Sequence, residues 1–185
     1  GNAEVQNAIA AFTEAFALDG KKAGGDACKI VEAKYGAWLK QYNDEYDYYD
    51  LFLISAAGDI VYTVAKESDY GQNLVSGDLK NSSLGNCFSG AKSKITLADF
   101  RPYAPSNGDP CSFIGAPVTK DGQVIGVVAL QMPLKAINNI MNERAGLGAT
   151  GETYLVGPDK LMRSDSFLDP VNHTVKASFA NPEKG

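Results

Sequence analysis

The chain has 185 residues, 44% hydrophobic and 21% charged, which is enough for one complete domain and part of a second and excludes a disordered chain. Seventeen basic residues against 22 acidic ones leave a net charge of −5. That field repels phosphate backbones and anionic lipid, so nucleic acid is not an expected partner. The longest apolar run, Val124 to Leu130, is far shorter than the roughly 20 residues that cross a bilayer. No basic-then-apolar leader opens the sequence, so the expectation is a soluble domain, compatible with the soluble part of a membrane protein.

In chain order, Val5, Ile9, Phe12 and Phe16 step by helical intervals and predict a helix from Glu4 to Leu18. After the break DGKKAGGD, Val31, Tyr35, Trp38 and Tyr42 predict a second helix over Ala27 to Tyr42. At Asp50 the period changes: LFLIS and IVYTVA are short apolar runs separated by AAGD, a hairpin whose unbroken apolarity requires cover on both faces. A polar, glycine-rich stretch follows, with a short helix near Ser82 to Ala91. Three strands come next, at Ile95 to Tyr103, Cys111 to Thr119 and Gln123 to Gln131. The last two are joined by Asp121-Gly122, a pair that accepts positive φ and marks a tight hairpin. Pro133 starts a helix with Leu134, Ile137, Ile140 and Met141 on one face, and Gly146 stops it.

This order predicts an α+β fold: long N-terminal helices, then a five-stranded antiparallel sheet of order 2-1-5-4-3, with strand one central and helices across one face. Beyond Gly146, ETYLVGPDKLMRSDS echoes FLISAAGDIVYT when Asp159 is set against Asp59, a weak internal repeat whose second copy stops after its first hairpin. One hairpin cannot build its own core, so residues 150–185 either dock on the first unit or move, and Asp169 to Gly185 is the part poorest in large apolar residues.

Three extended stretches, YYDLFLISAAGDIVYTVAKESDYGQNL, DFRPYAPSNGDPCSFIGAPV and GATGETYLVGPDKLMRSDS, resemble the extracytoplasmic double-Cache, PAS-like sensor regions of bacterial chemoreceptors and sensor histidine kinases. The resemblance runs from about Tyr48 to Ser166. It implies a helical region over 1–47, a membrane-distal module over 48–145, and a linker with the incomplete start of a membrane-proximal module over 146–185. It further implies a periplasmic location in an inner-membrane protein anchored through segments outside this chain, a homodimer in the full receptor, a small-molecule ligand and no catalysis. The amino-acid-binding signature of some Cache domains is not evident here.

Other motifs carry little chemistry. GLGATG satisfies the dinucleotide pattern only formally, because a helix precedes it and a strand follows, the reverse of what that site requires. GNCFSGAK has Ala91 where a phosphate loop has its lysine. Asp44, Glu45, Asp47 and Asp50 are interleaved with tyrosines and lack the glycine of a calcium loop. Three separated cysteines and the single His173 provide no converging donor set, so no metal and no cofactor is expected. In an oxidising compartment Cys87 and Cys111 would pair and leave Cys28 free; the alternative is three buried thiols acting as small apolar residues.

For ligand binding, period-two geometry sets Asp99, Arg101 and Tyr103 on one face of the third strand and Phe100 on the other. A carboxylate, a guanidinium and a phenol there would clamp an amino acid or organic acid, with Arg101 as charge anchor and Tyr62, Phe113 and Gln131 as pocket walls. The competing reading is that Asp99 and Arg101 neutralise one another at a solvated surface. Two further functions stay open: a ligand-free dimerisation module, and a small hydrolase or transferase using Asp99 or a clustered carboxylate.

Overall fold

A computed structural model describes residues 3–184; Gly1, Asn2 and Gly185, at the ends of the ranges 1–47 and 146–185, lie outside the described residues. Helix α1 (Ala3–Leu18) turns into α2 (Asp26–Glu45). The turn is held by Asp19, whose carboxylate accepts the amides of Ala27 (3.0 Å) and Cys28 (2.8 Å) and so satisfies two orphan donors at the start of α2. These bonds hold its carboxyl below the usual range.

Strands β1 (Asp50–Ser55), β2 (Ile60–Thr63), β3 (Thr96–Pro102), β4 (Pro110–Lys120) and β5 (Gln123–Gln131) form one antiparallel sheet in the order β2-β1-β5-β4-β3. Every residue of β1 is buried, as its apolar run requires, and it lies between β2 and β5. The middle position of the sheet belongs to β5. The β4–β5 hairpin turns through Asp121 (φ 50°) and Gly122 (φ 78°), both in the left-handed region.

Helices cover both faces rather than one. Leu51, Leu53 and Tyr62 pack on α1 and α2 through Phe12, Phe16 and Leu39. Phe52, Ile54, Phe113, Val127 and Ala129 meet α3 (Ser83–Ala91) through Leu84, Cys87 and Phe88. Two sheet glycines allow the approach. A Cβ at Gly126 would stand 2.3 Å from Ile9 of α1, and one at Gly115 would stand 2.9 Å from both the Cys87 sulfur and Ala91 of α3.

That second contact excludes a bond between Cys87 and Cys111. Cys87 sits over Gly115, four residues along β4 from Cys111, a separation of roughly 13 Å along the strand, whereas a disulfide needs Cα atoms within about 7 Å. All three thiols are free and buried.

After α4 (Leu134–Met141) the expected second hairpin does not form as strands. A single bridge, Val156 to Met162, remains of it, because no neighbouring strand completes its ladder. Residues 150–184 dock instead. Met162, with Val175 and Phe179 of α5 (Val175–Ala180), closes over Phe100 of β3 and Leu134 and Ile137 of α4.

Candidate functional site

The six residues named from the sequence fall in three places. Tyr62 is on the α1–α2 face, its ring 4.6 Å from that of Phe12, so it is no wall of a pocket on the opposite face. Asp99 and Arg101 are exposed on the outer edge of the sheet. A bulge between Ala98 and Arg101 breaks the alternation, and Tyr103, one residue past the end of β3, swings into the core instead of joining them. Phe113 and Gln131 do come together with Tyr103, on the α3 face. Phe113 is the cross-strand partner of Gln131, and the Tyr103 ring stands edge-on to Phe113 at 5.0 Å.

Arg101 and Asp99 line an outer cleft of about 560 Å³ with Arg163, Asp159, Ser82 and Phe179. Its strongest charges are already committed. Arg163 engages both oxygens of Asp99 at 2.8 Å and both oxygens of Asp159 at 2.9 Å. The guanidinium holds the Asp99 carboxyl below its usual range. The partner that neutralises Asp99 is therefore Arg163, from the other end of the chain, and not Arg101.

A second groove, of about 580 Å³, opens between the α2–β1 connection, the loop after β3 and the start of α4. Asn43, Tyr48 and Tyr49 form one wall and Met132 to Lys135 another, while Ser106, Cys111 and Gln131 lie at its base. The Gln131 amide donates to the Cys111 sulfur at 3.1 Å and to Ser106 Oγ at 3.4 Å. Ser106 in turn donates to Glu67 Oε2, and Tyr49 donates to Glu67 Oε1, each at 2.8 Å. Behind them, the Tyr103 hydroxyl donates to Asp69 Oδ2 at 2.7 Å. Asp50, the β1 neighbour of Gln131, accepts from the Thr63 hydroxyl and from the amides of Leu51, Val64 and Ala65.

Three carboxylates lie behind this lining. Asp50, Glu67 and Asp69 form no ion pair with any described lysine or arginine. Burial raises Asp50 to about 6 and pushes Asp69 up as well, since desolvation disfavours the charged carboxylate. Burial also raises the Cys111 thiol to about 11, and the bond to Glu67 raises Tyr49 to about 12, so both stay protonated donors near neutral pH. Three acceptor oxygens are left without a donor: Asn43 Oδ1, Asp69 Oδ1 and Gln131 Oε1, on side chains at least 96% buried. An unpaired buried acceptor is costly, and its usual remedy is a water or a ligand.

Sequence reading missed Glu67, Asp69 and Ser106, and weighed Asp50 only as a calcium ligand. Asp50 was visible as the one charged residue opening a wholly buried strand. Glu67, Asp69 and Ser106 lie in loops, where no periodicity shows which way a side chain turns.

No protein-family model matches the chain, and no curated protein sequence does. Solved structures do. The sensor domain of the V. cholerae histidine kinase DctB aligns at 18% identity and TM-score 0.52, covering 75% of this chain and 46% of that one. The ligand-binding domain of the Pseudomonas fluorescens chemoreceptor CtaA, in complex with L-serine, aligns at 20% identity and TM-score 0.53, covering 98% and 75%. The ligand-binding domain of the Pseudomonas aeruginosa PAO1 amino acid chemoreceptor PctC, in complex with GABA, aligns at 18% identity and TM-score 0.52, covering 98% and 79%. The chain thus spans about half the length of the DctB domain and about three quarters of the chemoreceptor domains. With its long leading helices and its sheet of order 2-1-5-4-3, this chain shares the fold of these solved sensor and ligand-binding domains.

Proposed function

We propose that this chain is the extracytoplasmic ligand-sensing region of a bacterial transmembrane receptor, a chemoreceptor or sensor kinase. In this reading it captures a small polar metabolite in the groove over Gln131. The observation that carries it is the groove itself: a concave site of small-molecule size whose base holds buried, unpartnered acceptors inside the fold of sensor domains. Such a fold does not by itself fix a function. The unpartnered buried oxygens of Asn43 and Gln131, two residues of the groove's lining, mark polar groups beside it that the fold leaves unsatisfied.

A ligand there touches three separate elements, the end of α2, the loop after β3 and the start of α4, so its binding favours one relative placement of these over another. A sensor needs that differential affinity, because a ligand bound equally well in two arrangements shifts neither. The likeness is to ligand-binding domains, so the reading is of a binding module rather than an enzyme. Arg101, in the outer cleft, has no place in this site.

Thermal-shift and calorimetric titration with a panel of amino acids, amines and organic acids tests the proposal. The expected result is a saturable rise in melting temperature with at least one compound, lost in Gln131→Leu, and no turnover of the bound compound. A panel that leaves the melting temperature unchanged throughout would favour a ligand-free dimerisation module.

A further inference from the structure

We infer that the open edge of β3 is a docking surface for another protein, which adds an extended acidic segment to the sheet as a further strand. The two edges of the sheet are unlike. At β2 the chain closes its own edge: the Ile60 amide donates to Gln72 O at 2.9 Å, the Gly71 amide donates to Ile60 O at 3.0 Å, and Asp59 bridges to Asn73. At β3 the described residues supply no such cover, for this strand pairs with β4 alone. Its second half is guarded by the bulge between Ala98 and Arg101 and by Pro102, devices that protect an edge from further pairing. The docked residues 150–184 also reach β3 there, through Asp99 and Phe100. Its first half, with Ile95 just before it, has neither guard. It shows apolar side chains to solvent instead, Ile95 at 69% and Leu97 at 65% exposure.

The charge around this edge identifies the chemistry of the partner. From Leu79 to Tyr103 the sequence holds Lys80, Lys92, Lys94 and Arg101 against the single carboxylate of Asp99, in a chain whose net charge is −5. All four cations are exposed, and none pairs with a carboxylate of this chain, because Asp99 is held by Arg163. A basic island of this kind steers an acidic partner to the edge. The cations also bracket the apolar pair: Lys92 and Lys94 come just before Ile95, and Arg101 follows Leu97 and lines the outer cleft. From Lys94 to Arg101 the extended chain covers roughly 23 Å, the length of an added strand of about seven residues. A strand with carboxylates at its ends and β-branched residues between them meets the edge backbone, the apolar pair and the cations together. A lipid surface matches the charge and has no strand to offer the backbone. A second copy presenting this same edge would set cation against cation.

Fluorescence anisotropy on the whole chain decides it, with a labelled octapeptide in which alternating valine and threonine lie between two pairs of glutamate. The peptide should bind saturably at millimolar concentration or better and more weakly at high salt. Bound peptide should slow hydrogen exchange at residues 95–98 and leave residues 60–63 unchanged. Leu97→Glu, and separately Lys94→Glu combined with Arg101→Glu, should weaken binding at least about tenfold, all at exposed positions. Lys34→Glu, the same change of charge on α2, should not. A version of the peptide with proline in place of each threonine cannot pair and should not bind. Silence of the acidic peptide overturns the inference, as does equal binding of the proline version or of a counterpart ending in lysines. Phosphatidylglycerol vesicles bound in place of the peptide would assign the basic island to a membrane, and a concentration-dependent dimer abolished by Leu97→Glu would assign the edge to a second copy. Either result overturns it.

Discussion

Arg163 and Asp99, 64 positions apart in sequence, are joined by two parallel hydrogen bonds of 2.8 Å, Nε to Oδ1 and Nη2 to Oδ2. The guanidinium is almost wholly buried, 6% exposed, with the Phe179 ring 5.1 Å from it, while Asp99 is half exposed on the edge strand β3. This clasp, with the small apolar cluster around Phe100, Met162 and Val175, fastens residues 150–184 to the sheet. The segment is thereby given a docking point on the sheet.

Arg163→Leu should therefore loosen the docked segment more than the sheet. Hydrogen exchange should show faster exchange at the Arg163 and Ser178 amides, which bond within the docked segment, with little change in β1 and β5. Asp99→Asn should do the same more weakly, by about 1–2 kcal/mol, because the pair is charge-assisted yet open to solvent on the Asp99 side. Equal acceleration throughout β1 and β5 would contradict a local clasp.

Asp50 makes stability depend on pH in an unusual direction. Its folded value, about 6, lies above its ordinary 3.8, so the folded chain holds this proton more tightly than the unfolded chain does. Its stabilising contribution is then full below about pH 4 and declines as pH rises through about 6, by roughly 1–3 kcal/mol. Urea unfolding from pH 4 to 7.5 should show a downward slope over that window, and Asp50→Asn, permanently neutral, should flatten it. A slope that survives the substitution would assign the effect to Asp69, which burial shifts in the same direction.

The three thiols should be silent in the folded protein. Burial raises Cys28 and Cys111 to about 11 and Cys87 to about 12, leaving almost no thiolate at neutral pH, and each is at most 5% exposed. Alkylation in native buffer should label none of them, and labelling in denaturant should count three. Two thiols missing from the denatured count would mean a disulfide, which the placement of Cys87 over Gly115 does not allow without moving α3.

The apolar periods of Val5–Phe16 and Val31–Tyr42, the unbroken run Leu51–Ser55 and the Asp121-Gly122 turn determined the helices, the hairpins and the strand order, because each is a local pattern with one favourable geometry. They also placed Phe113, Tyr103 and Gln131 in the same neighbourhood. What pattern could not decide was where polar side chains go once alternation fails. The bulge in β3 separates Tyr103 from Asp99 and Arg101, and the bulge between Leu53 and Ile54 accompanies the placement of Tyr62 on the far face. A shift of one residue reverses facing, and nothing in the local sequence announces it. The partner of Asp99 and the uncompensated set of Asp50, Glu67 and Asp69 were likewise decided only by tertiary structure. Charge pairing is a matter of distance in space, and these groups are brought together by loops and by a docked tail that carry no period of their own.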